Sequence, residues 1–130
     1  MAVDMNIPIL IVDDYSTMLR IVKGLLNQIG FKNIIEASNG KEAYEKLTAS
    51  QAPIKLIISD WNMEPVSGIE LLKQVRANDN YKAVPFIMVT AESKLENVMA
   101  AKDAGASNYI VKPFNAITLK QKLSAVLGEF

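Results

Sequence analysis

Strand-like and helix-like stretches alternate five times along this chain, and no other feature limits its fold so tightly. The strand-like stretches are short apolar runs. Ile7-Pro8-Ile9-Leu10-Ile11-Val12 is the first and Asn33-Ile34-Ile35-Glu36-Ala37 the second. Lys55-Leu56-Ile57-Ile58-Ser59-Asp60, Pro85-Phe86-Ile87-Met88-Val89 and Asn108-Tyr109-Ile110-Val111 follow. Continuous apolar runs of this length suit strands buried on both faces. Between them, apolar residues recur at helical spacing. Met18, Val22, Leu25, Leu26 and Ile29 form one face, with Ser16 or a neighbour as cap and Gly30 as stop. Ala43, Tyr44 and Leu47 follow an Asn39–Glu42 capping box, and this helix fades by Ser50 before Pro53. Leu71, Leu72 and Val75 make a third face, entered through Gly68 and broken at Asn78-Asp79-Asn80. A Ser93–Glu96 box opens a fourth helix through Val98 and Met99 to Gly105. Asn115 caps the last helix, with Leu119, Leu123, Val126 and Leu127 facing inward and Phe130 at the end.

Regular strand–helix alternation with short connections predicts an α/β fold, a five-stranded parallel sheet with helices on both faces. Right-handed crossovers leave few topologies. The order 2-1-3-4-5 is adopted from the flavodoxin-like precedent, since the residues alone do not select it. A length of 130 residues without internal linker or repeat fits one domain, 1–130, with no output domain.

Composition narrows the chemistry. Lys plus Arg equals Asp plus Glu at 14 each, so no basic surplus points to nucleic acid. No apolar run approaches the roughly 20 residues that span a bilayer, and the N-terminus lacks the pattern of a signal peptide. A cytoplasmic monomer is expected. The chain has no Cys and no His, which removes disulfides, thiolate sites, histidine acid–base catalysis and most zinc chemistry. Carboxylates, hydroxyls and lysines remain.

Those residues stand at the strand ends. Strands one, three, four and five end in Asp13-Asp14, Asp60, Thr90 and Lys112. In an open α/β sheet, ligands bind at the carboxyl ends of the strands. Singly, each such residue reads as a cap or turn residue. Together they put three carboxylates in one crevice, where two like charges about 4 Å apart cost roughly 4 kcal/mol at an effective dielectric near 20. Either one acid stays protonated or a divalent cation is bound. A donor set of hard oxygens without His or Cys points to Mg²⁺. With Lys112 opposite and the Thr90 hydroxyl nearby, the set suits phosphoryl transfer onto Asp60 to form an acyl phosphate.

The segments Ile11–Met18, Ser59-Asp60-Trp61-Asn62-Met63, Met88-Val89-Thr90-Ala91-Glu92 and Ala104–Phe114 resemble the receiver domains of two-component response regulators, most closely the single-domain chemotaxis members. The resemblance spans essentially the whole chain. It implies that Asp60 accepts a phosphoryl group from a sensor histidine kinase. Asp14, Asp60 and the backbone carbonyl of Asn62 would hold Mg²⁺, with Asp13 acting through water. Lys112 would contact the phosphoryl group. Thr90 would move towards it and Tyr109 would turn inward behind it. Taken from residues alone, Tyr109 reads equally as a half-buried aromatic with its hydroxyl in water. Asn62 and Glu92 would set the phosphoryl lifetime, which a polar pair makes short. Lys94, Leu95, Val98, Tyr109, Val111, Phe114 and Lys122 would form the face read by partners, among them the flagellar motor switch protein. The resemblance also implies a cis Lys112–Pro113 bond and only intrinsic autophosphorylation and autodephosphorylation in place of turnover.

Two positions depart from that pattern. The acceptor loop has Glu64 where the family usually has Pro, and Pro65 comes one residue later. Glu64 either faces solvent or tunes Mg²⁺ affinity. Leu95 is apolar where chemotaxis members often carry Lys, which bears on the partner's identity. Other functions remain open in principle. A phosphate-sink regulator would share every residue. A small Mg²⁺-dependent aspartyl phosphatase would need a second Asp two residues after the first, where Asn62 stands. A flavodoxin-like cofactor binder would need a phosphate-cradling loop where this chain has acids, and neither GxGxxG nor GxxxxGK occurs.

Overall fold

The computed structural model describes residues 4–49, 53–91 and 95–128, and of Leu95 only the backbone. Five strands and five helices alternate: β1 Ile9–Val12, α1 Ser16–Ile29, β2 Ile34–Ala37, α2 Gly40–Ala49, β3 Leu56–Asp60, α3 Gly68–Ala77, β4 Phe86–Thr90, α4 Leu95–Asp103, β5 Asn108–Val111 and α5 Ala116–Leu127. All strand pairs are parallel and the order is β2-β1-β3-β4-β5. The expected α/β architecture is therefore the observed one. No helix among the described residues is long and apolar enough to cross a membrane.

Strand periodicity divides the core in two. Successive side chains point to opposite faces. Ile9, Ile11, Leu56, Ile58, Ile87 and Val89 pack under α1 and α5, against Leu19, Val22, Leu26, Leu119 and Leu123. Leu10, Val12, Ile57, Phe86 and Met88 pack on the other face, against Leu47, Leu71, Leu72, Val75 and Ala101. β1, β3 and β4 are buried along their whole length, so nothing along the middle of the sheet can meet solvent. Only their ends can, and this confines chemistry to the loops.

Local details differ from the expectations at several helix ends. The α1 N-cap is Tyr15, without a side-chain bond; the Tyr15 N–H donates to Asp13 Oδ1 at 3.0 Å instead. The α2 box is half formed. The Glu42 N–H donates to Asn39 Oδ1 at 2.9 Å, but the Glu42 carboxylate accepts from Ser38 Oγ and pairs with Lys46. A complete box is found at α3, where Ser67 and Glu70 cap each other. Asn115 caps α5 and Gly30 ends α1 at φ 132°, both as expected. The Ser93–Glu96 box, Ser50 and Phe130 involve positions outside the described residues. Leu19 replaces Leu25 in the fully buried stripe of α1, where Met18, Leu25 and Ile29 are only partly buried.

Candidate functional site

The sheet delivers its polar ends to one edge. β1 runs straight into Asp13 and Asp14, β3 ends on Asp60, β4 ends on Thr90, and Lys112 follows β5. Asp13, Asp60 and Thr90 are buried, whereas Asp14 is exposed. Asp13, Asp14 and Asp60 each offer a carboxylate oxygen, and these oxygens lie within 4.8 Å of one another. Lys112 Nζ stands 3.1 Å from Asp60 Oδ1 and 3.2 Å from Asp13 Oδ2, bridging the two buried acids. The backbone helps set this placement, because the Lys112 N–H donates to the Thr90 carbonyl at 2.8 Å. Lys112–Pro113 is cis, as the resemblance implies, and Glu64–Pro65 is cis as well.

Electrostatics follow from that crowding. Burial, and then the Asp13 charge, hold the Asp60 carboxyl above the ordinary carboxylate range, although Lys112 pulls the other way. Burial alone would push the Lys112 ammonium down. Asp60 and Asp13 outweigh it and push it up, so it stays charged at neutral pH. Among the described residues, one lysine faces three carboxylates, which leaves the cluster short of positive charge.

The donor set fits a hard divalent cation. Three carboxylates converge, and the whole chain carries neither His nor Cys to favour a softer metal. Beside them, Asp14, Trp61, Asn62, Met63, Glu64 and Ser67 line an open cleft of about 430 Å³. Glu64 is exposed there and stands outside the three-acid cluster. Trp61 is partly buried against the α2/α3 core and borders this cleft, within reach of events at Asp14.

The remaining sequence-predicted residues separate into two places. Val98 and Tyr109 line a groove of about 250 Å³ between α4 and β5, with Ala101, Lys102 and Ala106. Lys122 Nζ sits 4.9 Å from the centre of the Tyr109 ring, a cation–π contact. Val111 is half-buried on the edge strand. Phe114 does not join this face: it packs with the core beneath α1 and α5. Glu92, Lys94 and the side chain of Leu95 lie outside the described residues.

Comparison with known proteins identifies the family. The family model described as the response regulator receiver domain matches residues 9–124. The chemotaxis protein CheY1 of Helicobacter pylori is 48% identical over 120 residues, covering 92% of this chain and 96% of its own. The chemotaxis protein CheY-3 of Vibrio cholerae is 48% identical over 121 residues, 93% of this chain and 92% of its own. Among solved structures, the chemotaxis response regulator CheY4 of Vibrio cholerae aligns at a TM-score of 0.85 and 35% identity, covering 94% of this chain and 99% of that one.

Proposed function

This chain belongs to the response regulator receiver domain family, and from that premise we propose that Asp60 is its phosphoacceptor. A CheY-type receiver works in phosphorelay signalling with a histidine kinase upstream and a target downstream, as a phosphoacceptor switch and not as a classical enzyme. The observation that carries the assignment is the Asp60 carboxylate, buried at the sheet edge 3.1 Å from Lys112 and clustered with Asp13 and Asp14.

In the proposed reaction an Asp60 oxygen attacks phosphorus. The P–N bond of a phosphohistidine breaks as the new O–P bond forms, and the imidazole takes its proton from solvent. With a small acyl phosphate, the P–O bond breaks and a carboxylate leaves. Asp14, Asp60 and the Asn62 carbonyl would hold Mg²⁺, with Asp13 acting through water, and the ion would supply charge neutralisation for the phosphoryl oxygens. Lys112 holds one phosphoryl oxygen and Thr90 donates to another. Asn62 and Glu92 set the lifetime of the acyl phosphate by controlling the approach of water.

The new group brings about −1.5 to −2 charges and three acceptor oxygens. Thr90 follows it, and Tyr109 turns into the space behind, altering the groove that Tyr109 shares with Val98. Lys94, Leu95, Val111 and Lys122 complete the surface read by the partner. Names of the relatives favour chemotaxis, so we assign the flagellar motor switch protein as that partner and the cytoplasm as the setting, for a monomer.

Labelling with a small acyl phosphate tests the assignment. Mg²⁺-dependent incorporation in the parent chain and none in Asp60→Asn is expected; equal incorporation in both rejects it. Binding of the labelled chain to the motor switch protein is expected to exceed that of the unlabelled chain. Labelling without any such gain would make the chain a phosphate sink.

A further inference from the structure

The main-chain carbonyl of Asp60 is confined from two sides. Ser59, completely buried, donates its Oγ hydrogen to the Asp60 carbonyl oxygen at 2.9 Å. Gly68, the first residue of α3, packs its Cα against the same oxygen. A Cβ at Gly68 would overlap the Asp60 carbonyl oxygen and come within 3.0 Å of its carbon and of Met88 Sδ. The Gly68 N–H also donates to the Trp61 carbonyl at 2.8 Å, and the Trp61 N–H donates to the Val89 carbonyl at 3.0 Å. So α3 begins hard against the last peptide of β3. The far end of the intervening loop is held likewise. The Gly40 N–H donates to the Val66 carbonyl at 3.0 Å, and a Cβ at Gly40 would meet Val66 at 2.6–2.7 Å.

A carbonyl and a side chain on one residue move together. If the Asp60 peptide tilts, its carboxylate swings relative to Lys112, Asp13 and Asp14, which follow other strands and do not move with it. We propose that Ser59 and Gly68 are positioning residues for phosphoryl transfer: by pinning the Asp60 carbonyl they aim its carboxylate at the point where Asp13, Asp14 and Lys112 meet. Neither touches the reacting atoms. Misplacement of a reacting group by about 1 Å can cost on the order of a hundredfold in rate. The loss of one hydrogen bond is worth about 0.5–1.5 kcal/mol, or roughly 2- to 12-fold.

This inference rests on Asp60 being the acceptor, so the experiment measures both. The parent chain, Asp60→Asn, Ser59→Ala, Gly68→Ala and the control Gly24→Ala are labelled with a small acyl phosphate at saturating Mg²⁺. Gly24 lies on α1 with open space around it. Mg²⁺ affinity is read by Trp61 fluorescence, and melting temperature is recorded for each. Ser59→Ala is expected to slow labelling at saturating donor about 2- to 12-fold and to weaken Mg²⁺ binding. Gly68→Ala is expected to slow labelling about a hundredfold, and Gly24→Ala to leave both unchanged. A purely structural role would lower the melting temperature alone, with rate and Mg²⁺ affinity unaltered well below it. That result in Ser59→Ala overturns the proposal even if Gly68→Ala does not fold. Failure of the parent chain to label at Asp60 would instead overturn the acceptor assignment, and this inference with it.

Discussion

At the scale of single residues, the protein holds Asp60 in a place where its charge is unwelcome. Burial and Asp13 raise its pKa, so the folded state binds a proton there more tightly than the unfolded chain does. The stability this contributes is complete below the ordinary Asp pKa and is lost as pH rises through the raised one. At neutral pH the metal-free pocket is therefore under electrostatic load, which a bound cation relieves. Mg²⁺ bound there would have to displace that proton, so its affinity is expected to fall as pH drops through the raised pKa, starting at a higher pH than for an ordinary carboxylate. Calorimetry across that range is expected to show the fall. Mg²⁺ at 100 times its Kd is expected to stabilise the fold by about 2.7 kcal/mol at neutral pH. Affinity that stays flat until the pH of ordinary carboxylates would contradict the crowding described here. This part of the site was legible in the sequence because acids that end apolar strands fall together at one edge of a parallel sheet. The lysine bridge to Asp13 as well as Asp60 was not, since 99 residues separate the partners.

At the scale of elements, two features decide how firmly the scaffold holds. Arg76, in the last turn of α3, donates to three main-chain carbonyls. Nε reaches Gly105 at 2.9 Å, and Nη1 reaches Val84 at 2.6 Å and Lys82 at 3.1 Å. It thereby ties α3 to the approach to β4 and to the turn between α4 and β5. Gly105 takes φ 104° at that turn and leaves room for the Arg76 side chain. Arg76→Leu strands these carbonyls and is expected to cost about 1–3 kcal/mol in denaturant unfolding. A change within experimental error would show that water replaces the guanidinium. Gly24, exposed in mid-α1 with open space where a methyl group would project, is the opposite case. Gly24→Ala is expected to stabilise the protein by about 0.5–1 kcal/mol in the same assay. Strand positions and the inward faces of α3 and α5 could be read from periodicity alone. Helix starts were less legible. Ser67–Glu70 carries an S-x-x-E signal that the Gly68 entry obscured, and Asn39–Glu42 carries the N-x-x-E equivalent, whose carboxylate Ser38 takes instead. Nothing local marks Arg76, whose carbonyl partners lie 6, 8 and 29 residues further along the chain.

At the scale of the whole molecule, a sheet whose central strands are buried on both faces leaves only its edge for chemistry. Among the described residues, α4 buries only Ala101 fully, beside the groove that Tyr109 borders. The size of the response to phosphorylation is bounded. Moving an equilibrium from 1:99 to 99:1 takes about 5.5 kcal/mol, and one charge-assisted hydrogen bond supplies about 1.5–3. The phosphorylated chain is therefore expected to be partly switched, with its partner completing the change. The alternation of elements made the fold class readable, but the strand order came from precedent, because crossover rules alone allow others. Everything turns on whether the group is carried as an acyl phosphate by Asp60. Borohydride reduction after treatment with a small acyl phosphate, followed by peptide mapping, reads this directly. The predicted result is homoserine at position 60, dependent on Mg²⁺ and absent without the donor. Homoserine at another acid, or a phosphoryl group that survives as a serine, threonine or tyrosine ester, would contradict it.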